Sequence, residues 1–558
     1  MKNHLTQITL CAVCAALFMS PLREVQAQGN MALSPAVVVS LTNIEEHLAD
    51  VNYLFTAAGQ ADAAPLVKFF VVPYLEGIDK TKPIGGVVTF QEGQPKFVAF
   101  IPVTDLNAVM EKVEAQAGPA EDAGNGVKKL TSPDGQELFV KEKNGWALAG
   151  NDMALFDHTP DDPITLLSGL NKTYNVAVRL NVQNVPKDMK DMLIGQYTQM
   201  MDAFSEGGLD ADPDSAEAVE KVAENAIQSL KDLSEEADKI TVGWGVDEMA
   251  KSTFIDFTMT ALDGTKLAKR MAMMQDSKTN FSGFVLDDAA ATFNFANKLH
   301  PDDIATYKIA LKTTRDRVMP ELDKDEDLDE QQRAAAKELV GTVMDVLSQT
   351  VETGKLDGGG ALLLEPGSIN FVAGGYIADG TSMDKSFRDL INLAKDGDDF
   401  PFTEVQFDAE KHGEISFHKL RAPVDDDEAR PVLGDEVEIA VGFGMKSFYV
   451  AFGKDPIATL KQVIDTSAAS PDKQVRPVQV TVSLMPILKF AASVSEEPIV
   501  GMMIEALENA PGNDKIRISS QAIQLGGTTR VELDEGVLQL IGAGVKATMQ
   551  GGAGGGDF

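Results

Sequence analysis

Residues 85–113, GGVVTFQEGQPKFVAFIPVTDLNAVMEKV, decide the fold that the rest of the chain follows. Two apolar stretches flank a polar, glycine-containing turn, which predicts a β-hairpin. Apolar residues then recur every three or four positions, which predicts an amphipathic helix. Residues 437–465, VEIAVGFGMKSFYVAFGKDPIATLKQVID, have the same order in a different sequence. The chain therefore uses one strand–turn–strand–helix unit more than once.

Four longer segments share the order strand, helix, strand, turn, strand and helix. Additional hairpins lie between the first and second segments and between the third and fourth. A chance α+β pattern rarely places such hairpins at the same point twice, so the sequence favours an internal duplication. The segments are residues 36–113, 174–274, 290–395 and 478–550, and the hairpins between them are residues 126–157 and 403–465.

We therefore predict an α+β fold with two duplicated halves, residues 28–280 and 281–550. Each half should contain mixed, mainly antiparallel sheets covered by helices on one face. Each half is close to the size at which a single hydrophobic core stops growing. Residues 551–558 are rich in glycine and are predicted to form a flexible tail.

Residues 1–27 have the organisation of a secretory signal peptide. Lys2 gives a basic start, residues 8–19 form an apolar run, and a short VQA sequence ends at Ala27. The apolar run is too short for a permanent membrane anchor. We predict cleavage near Ala27 and export to the periplasm, the cell surface or the exterior.

Both cysteines of the chain, Cys11 and Cys14, lie inside this predicted signal peptide. The mature chain should therefore contain no cysteine, no disulfide and no thiolate metal site. Its stability would come from the burial of apolar side chains. With 44% hydrophobic residues, the chain can form a sizeable hydrophobic core.

The chain carries 85 acidic and 49 basic residues, and its formal net charge is −36. Such a surface repels nucleic acid and anionic lipid and attracts cations and basic proteins. We predict no nucleic-acid partner and no transmembrane anchor in the mature chain. Cations or a basic protein are the partners that the charge favours, and the oligomeric state stays open.

Residues 321–339, ELDKDEDLDEQQRAAAKEL, include the best candidate for a metal-binding loop. Asp323, Asp325 and Asp327 have the spacing of calcium ligands in an EF-hand. The sixth position of such a loop needs glycine and the twelfth needs glutamate, but this chain has leucine and alanine there. The three aspartates are therefore weak metal candidates, and a solvated acidic surface is the favoured interpretation.

Catalytic motifs are missing from the sequence. It has no G-x-S-x-G nucleophile elbow and no H-E-x-x-H zinc motif. With so many acidic residues, sequence alone does not single out a catalytic carboxylate pair. We assign no catalytic residue and no cofactor site, and we favour a non-enzymatic role.

Residues 96–113, KFVAFIPVTDLNAVMEKV, and residues 126–150, GVKKLTSPDGQELFVKEKNGWALAG, also carry a family resemblance. The pattern over residues 35–550 resembles large exported bacterial proteins of unknown function that are built from repeated strand–hairpin–helix units. The resemblance implies an α+β fold and supplies no functional residues.

Three classes of function compete. The favoured class is a soluble, non-catalytic binding or scaffold protein of the cell envelope or exterior. The second is a carrier that holds an apolar ligand between helices and sheet, which requires uncovered apolar space. The third is a hydrolase that uses carboxylates or a loosely bound cation, which requires converging acids with raised pKa values.

Overall fold

A computed structural model describes most of the chain, and the predicted signal peptide with Cys11 and Cys14 lies outside the described residues. The described part is a large antiparallel sheet structure with helices, which confirms the α+β fold class. The described ranges are residues 33–132, 135–207, 213–324, 329–395, 400–427, 429–495, 497–508 and 513–551.

The strands are numbered in chain order. They are β1 (Val37–Asn43), β2 (Pro83–Gln91), β3 (Gln94–Pro102), β4 (Glu121–Gly124), β5 (Val127–Thr131), β6 (Glu137–Lys143), β7 (Trp146–Gly150), β8 (Val176–Asn181), β9 (Ala237–Asp247), β10 (Ser252–Ala261), β11 (Lys278–Thr279), β12 (Ala291–Lys298), β13 (Lys355–Glu365), β14 (Ser368–Tyr376), β15 (Glu404–His412), β16 (Ile415–Pro423), β17 (Glu436–Gly444), β18 (Ser447–Phe452), β19 (Lys473–Gln474), β20 (Val478–Ser483), β21 (Lys515–Ile523) and β22 (Gly526–Asp534).

The helices are numbered in the same way. They are α1 (Ile44–Ala57), α2 (Ala64–Val71), α3 (Leu106–Ala117), α4 (Ala154–His158), α5 (Lys187–Gly207), α6 (Pro213–Glu236), α7 (Lys266–Ala272), α8 (Pro301–Lys324), α9 (Glu330–Glu352), α10 (Gly380–Ala394), α11 (Arg430–Leu433), α12 (Pro456–Ala468), α13 (Leu484–Val494), α14 (Pro498–Glu508) and α15 (Glu535–Gly551).

The chain divides into two compact units. Unit 1 contains the described residues up to Gln196 together with Ala237–Phe257. Unit 2 contains the described residues of Tyr197–Glu236 and those from Thr258 onward. Each unit has its own buried hydrophobic clusters.

The strand order is the same in the two units. In unit 1 it is β4-β5-β6-β7-β3-β2-β1-β8-β9, with β10 beside β9. In unit 2 it is β15-β16-β17-β18-β14-β13-β12-β20-β21-β22. The neighbours from β4 to β9 and from β15 to β22 pair antiparallel. A duplicated chain would have this shared order, and the duplication itself stays a prediction.

The turn residues explain why the hairpins form where the sequence predicts them. Glu92 and Gly93, between β2 and β3, both have positive φ angles, 52° and 78°. Asn144 and Gly145, between β6 and β7, have φ angles of 52° and 78°. Two consecutive positive φ angles define the tight turn whose twist matches that of a β-hairpin.

Two buried clusters of unit 1 lie on opposite faces of its sheet. Leu148 belongs to the main core with Leu155 and Phe156 of α4. The next residue, Ala149, contacts a cluster that includes Met110 of α3. Successive strand residues point to opposite faces, so α3 and α4 cover different sides. The sequence predicted helices on one face of the sheet. In the structure, the short helix α4, which follows β7, covers the other face.

Candidate functional site

The sheet of unit 1 has an apolar face that its helices cover only in part, and we call it open face 1. It lies on three neighbouring strands, away from the core that contains Val38 and Ala177. Strand register places Val39 opposite Val178, and Val178 opposite Val242. Open face 1 consists of Val37, Val39, Leu41, Val176, Val178, Leu180, Ile240, Val242 and Trp244.

The exposure of open face 1 is not an effect of a sheet edge. Val178 is 43% exposed and Val242 is 41% exposed, although β8 pairs with a strand on each side. An antiparallel sheet that faces water usually has polar residues on its outer side. Here Ser40, Thr42 and Thr241 lie on the opposite, buried side. Polar and apolar residues therefore alternate along these strands with the apolar side chains on the more exposed side of the sheet. This pattern is typical of a surface that another molecule covers.

Unit 2 has a corresponding surface, which we call open face 2. It lies on β12, β13, β14, β20 and β21, with Phe293 opposite Val480 and Val480 opposite Ile518. Ile518 is 38% exposed, whereas Thr292 and Asn294 on the opposite side are buried. Open face 2 consists of Phe293, Phe295, Leu356, Leu362, Phe371, Val478, Val480, Val482, Ile516 and Ile518.

Glycines allow two phenylalanine rings to lie flat on open face 2. The rings of Phe293 and Phe295 are parallel within 2°, and their centroids are 6.4 Å apart. A Cβ atom added at Gly358 would lie 2.7 Å from the Phe295 ring, and one at Gly360 would lie still closer to Phe293. Any larger residue would displace these rings. The two partly exposed rings therefore form a flat aromatic platform.

A small cavity lies at one end of open face 2. Its volume is about 240 Å³, and its lining includes Phe295, Tyr307, Leu347 and Tyr376. Binding sites for whole drug-sized molecules usually measure roughly 300–1,000 Å³. The cavity is therefore large enough for one apolar group of a longer ligand that continues along the face.

Asp357 is the carboxylate in the lining of this cavity. Its side chain is fully buried, and the Thr279 hydroxyl donates to it at 2.6 Å. The Asn280 backbone N–H donates at 3.1 Å, and Lys355 Nζ lies 3.2 Å away. These partners satisfy the carboxylate, so the cavity offers mainly apolar surface.

Open face 1 ends at a polar cluster. The ring of Trp244 meets that of His47 on α1 edge to face, with centroids 6.0 Å apart. Asn175 donates a hydrogen bond to Asp50, one turn further along α1. Burial lowers the pKa of His47 and raises the pKa of Asp50. Among the described residues, His47 Nδ1 is buried and has no hydrogen-bond partner.

A connected group of charged side chains lies under α10 in unit 2. Arg388 bridges two carboxylates, with Nε 2.7 Å from Asp384 and Nη2 2.8 Å from Asp408. His418 Nε2 lies 2.9 Å from Asp384, and the Asp408 backbone N–H donates to His418 Nδ1 at 3.1 Å. His418 is fully buried and stacks on Phe387. All polar atoms of the ring are occupied, so this group orients α10 on the sheet.

One of the three sequence candidates for metal binding, Asp323, lies in the described part of the chain. Asp323 lies near the end of α8 and forms an ion pair with Lys337 of α9. Asp325 and Asp327 lie outside the described residues. Within the described ranges, no group of three or more His, Cys, Asp or Glu side chains could hold a metal ion. A helix long and apolar enough to cross a membrane is likewise missing from these ranges.

Sequence reasoning missed the open faces, although a signal for them was present. In VVVSLTN and TFNFAN, apolar residues alternate with Ser, Thr and Asn. The alternation shows that the two sides of a strand differ. It does not show which side the helices leave uncovered, because that depends on packing between distant elements.

Comparisons with known proteins identify no relative. A scan against protein-family models, a search of curated proteins and a search of solved structures each gave no match.

Proposed function

We propose that the protein is an exported, non-catalytic binding protein that holds an apolar ligand on its open faces. The observation that supports this proposal is the exposure of Val178 on a central strand, in the middle of an apolar surface. The proposal combines the favoured binding role with the carrier alternative. Export would follow removal of the signal peptide near Ala27.

The energetics favour an apolar occupant. Full burial of a valine-sized side chain stabilises a complex by roughly 1.5–3 kcal/mol relative to full exposure. Val178 and Val242 are each about four-tenths exposed, so covering them would recover roughly 1 kcal/mol apiece. A ligand that also covers Trp244 would gain several kcal/mol without needing a charged contact.

The hydrolase alternative has one supporting observation, which is the raised pKa of Asp50. Burial is the main cause, and the nearby carboxylates of Glu46 and Glu248 raise the pKa further. A general acid needs such a shift. However, Asp50 is only 8% exposed and already accepts a hydrogen bond from Asn175. A substrate would have to displace that bond, so binding is the better supported function.

The net charge of −36 fits this role as a surface property. It would keep the carrier away from nucleic acid and would allow cations or a basic protein to approach. The residues that define the two open faces are all uncharged. The net charge would therefore determine which macromolecules and ions approach the protein. The apolar faces would determine which ligand binds.

A fluorescence titration with Nile red, a neutral apolar probe, tests the proposal. The double substitution Val178→Glu with Val242→Glu puts two charges in the centre of open face 1. Val285→Glu is a matched control, because Val285 is 42% exposed and lies outside both open faces. Circular dichroism would verify that each variant is folded.

We expect saturable probe binding by the mature chain. The double variant should bind about tenfold more weakly, which corresponds to about 1.4 kcal/mol. The control should bind like the parent. Non-saturable binding by the parent, or an equal loss in the control, would contradict the proposal.

A further inference from the structure

The segment that follows α1 exposes an unusual amount of apolar surface. Residues 64–75, APLVKFFVVPYL, comprise α2 and the 3-10 turn after it, and we call them the apolar lip. Phe69 is 73% exposed. Four further side chains of the lip are at least 44% exposed, and they are Leu66, Phe70, Val72 and Tyr74.

The exposed lip residues do little to hold the fold together. Ala64 and Leu75, at the two ends, are the buried residues of the lip. Phe69 and Phe70 contact each other edge to face, with centroids 5.5 Å apart. The lip is therefore fixed at both ends and presents its aromatic side chains outward.

The charge of the lip differs from that of the whole chain. Lys68 is its one charged residue, although acidic residues outnumber basic ones by 85 to 49 in the complete sequence. Asp62 and Glu76 mark the points where acidic residues resume on either side. The lip is thus an apolar, weakly basic patch on an acidic protein.

We propose that the apolar lip docks on the surface of a zwitterionic lipid bilayer, so that open face 1 can exchange its apolar ligand there. Aromatic and aliphatic side chains with a flanking lysine suit the boundary between headgroups and acyl chains. An anionic bilayer would repel a chain of net charge −36. The exchange role rests on the proposed function, because an apolar ligand is concentrated in membranes rather than in water.

The position of the lip connects it to open face 1. Helix α1 is followed by the 3-10 turn Ala61–Ala63 and then by the lip, and His47, in the first turn of α1, contacts Trp244 at the end of that face. A lipid surface held by the lip would therefore lie near the same helix that borders the binding surface. Both elements belong to unit 1.

A second copy of the chain fits the lip less well. Its five exposed side chains offer roughly 500 Å² of surface, whereas each partner in a standard interface buries about 800 Å². Two chains of net charge −36 would also repel each other. Both arguments favour a neutral lipid surface as the occupant.

Flotation of the full mature chain with phosphatidylcholine vesicles tests the inference. The double substitution Phe69→Glu with Phe70→Glu should reduce the bound fraction about tenfold. Met249→Glu is the matched control, because Met249 is 97% exposed at the β9–β10 turn of the same unit. The control should float like the parent. No flotation of the parent, or equal flotation of the double variant, would overturn the inference.

Two further readouts separate the possible failures. Nile red binding without vesicles should be unchanged in the Phe69/Phe70 variant, since open face 1 is intact. Saturable probe binding without vesicle binding would overturn the docking inference and leave the proposed function standing. Vesicle binding without saturable probe binding would overturn the proposed function and leave the docking inference standing. A dimer that the Phe69/Phe70 variant abolishes would identify a second copy as the occupant and overturn lipid docking.

Discussion

Val178 on β8 lies directly opposite Val242 on β9, and both side chains project from the face of the sheet opposite to Ala177. Ala177 is buried, whereas both valines are about four-tenths exposed. The same strand therefore has one side in the core and an apolar side that solvent reaches. This asymmetry defines the surface on which the binding proposal depends.

The glycines beneath the aromatic platform should be intolerant of a single methyl group. Gly360→Ala places a Cβ against the ring of Phe293, and moving that ring should cost roughly 1–3 kcal/mol. The measurement is the shift in urea denaturation midpoint. Gly375→Ala on β14 is the control, because its nearest neighbour would be a backbone oxygen 3.6 Å away. Equal effects in both variants would show that the platform is not closely packed.

Arg388 should stabilise unit 2 more than an ordinary surface cation does. It bonds to both Asp384 and Asp408, so Arg388→Ala leaves two carboxylates without their shared partner. We expect a loss of roughly 1–3 kcal/mol in the free energy of unfolding. Lys385→Ala on the same helix is the control, because Lys385 and its ion-pair partner Asp389 are both exposed, so the substitution should change nothing measurable. If Arg388→Ala does not change the free energy of unfolding, the ion pairs of Arg388 contribute no more than ordinary surface ion pairs.

His418 should make unit 2 sensitive to mild acid. Burial lowers the pKa of His418 in the folded state, and Asp384 opposes this shift only in part. The unfolded chain, with a histidine pKa of about 6.5, then binds the proton more readily than the folded chain. The contribution of neutral His418 to the free energy of unfolding is therefore complete above about pH 6.5. It is lost as the pH falls toward the lower, folded-state pKa.

Thermal melts of the parent and of His418→Gln between pH 7.5 and pH 5 measure this contribution. The glutamine side chain carries polar atoms at a similar distance from the backbone and does not titrate in this pH range. The Tm of the parent should fall more steeply with decreasing pH than the Tm of the variant. Parallel profiles would mean that groups other than His418 account for the acid response.

The local elements were largely predictable from sequence, because their signals are local. The turn between Asn144 and Gly145 needs two positive φ angles, and asparagine and glycine tolerate them. The pairing of β1 with β8 was not predictable, because it joins Val39 to Val178 across more than a hundred residues. The open faces depend on that pairing, so they were not predictable either.

The charged group around His418 illustrates the same limit. His418 and Asp384 are 34 positions apart and come from a strand and a helix. Their spacing matches no short motif, and their contact follows from how α10 lies on the sheet. Sequence could therefore indicate that the chain has few histidines, but not that one of them is fully buried between phenylalanine rings.

The mature protein should begin near Gln28 and contain no thiol. The signal peptide would remove both cysteines, so the intact mass of the exported chain should match residues 28–558. A thiol-alkylating reagent should add no mass under denaturing conditions. An exported form that retains Cys11 or Cys14 would contradict the predicted cleavage and the cysteine-free mature chain.

Calcium should stabilise the protein no more than an equal ionic strength of sodium chloride. Surface carboxylates repel one another, and any salt screens that repulsion beyond about 8–10 Å at ordinary ionic strength. A specific site would add a stabilisation that grows with concentration, about 2.7 kcal/mol at a hundredfold excess over Kd. Asp323 already pairs with Lys337, so a calcium ion would have to compete with that lysine. We therefore expect equal shifts in Tm from the two salts.

The decisive variant for calcium replaces Asp323, Asp325 and Asp327 with asparagine. It keeps side chains of nearly the same shape and removes three negative charges from residues 323–327. If screening is the whole effect, calcium should shift the Tm of the variant and of the parent by similar amounts, with the variant slightly less responsive because it has less repulsion to screen. A calcium-specific stabilisation that is present in the parent and lost in the variant would establish a cation site there, despite the missing glycine and glutamate of a tight loop.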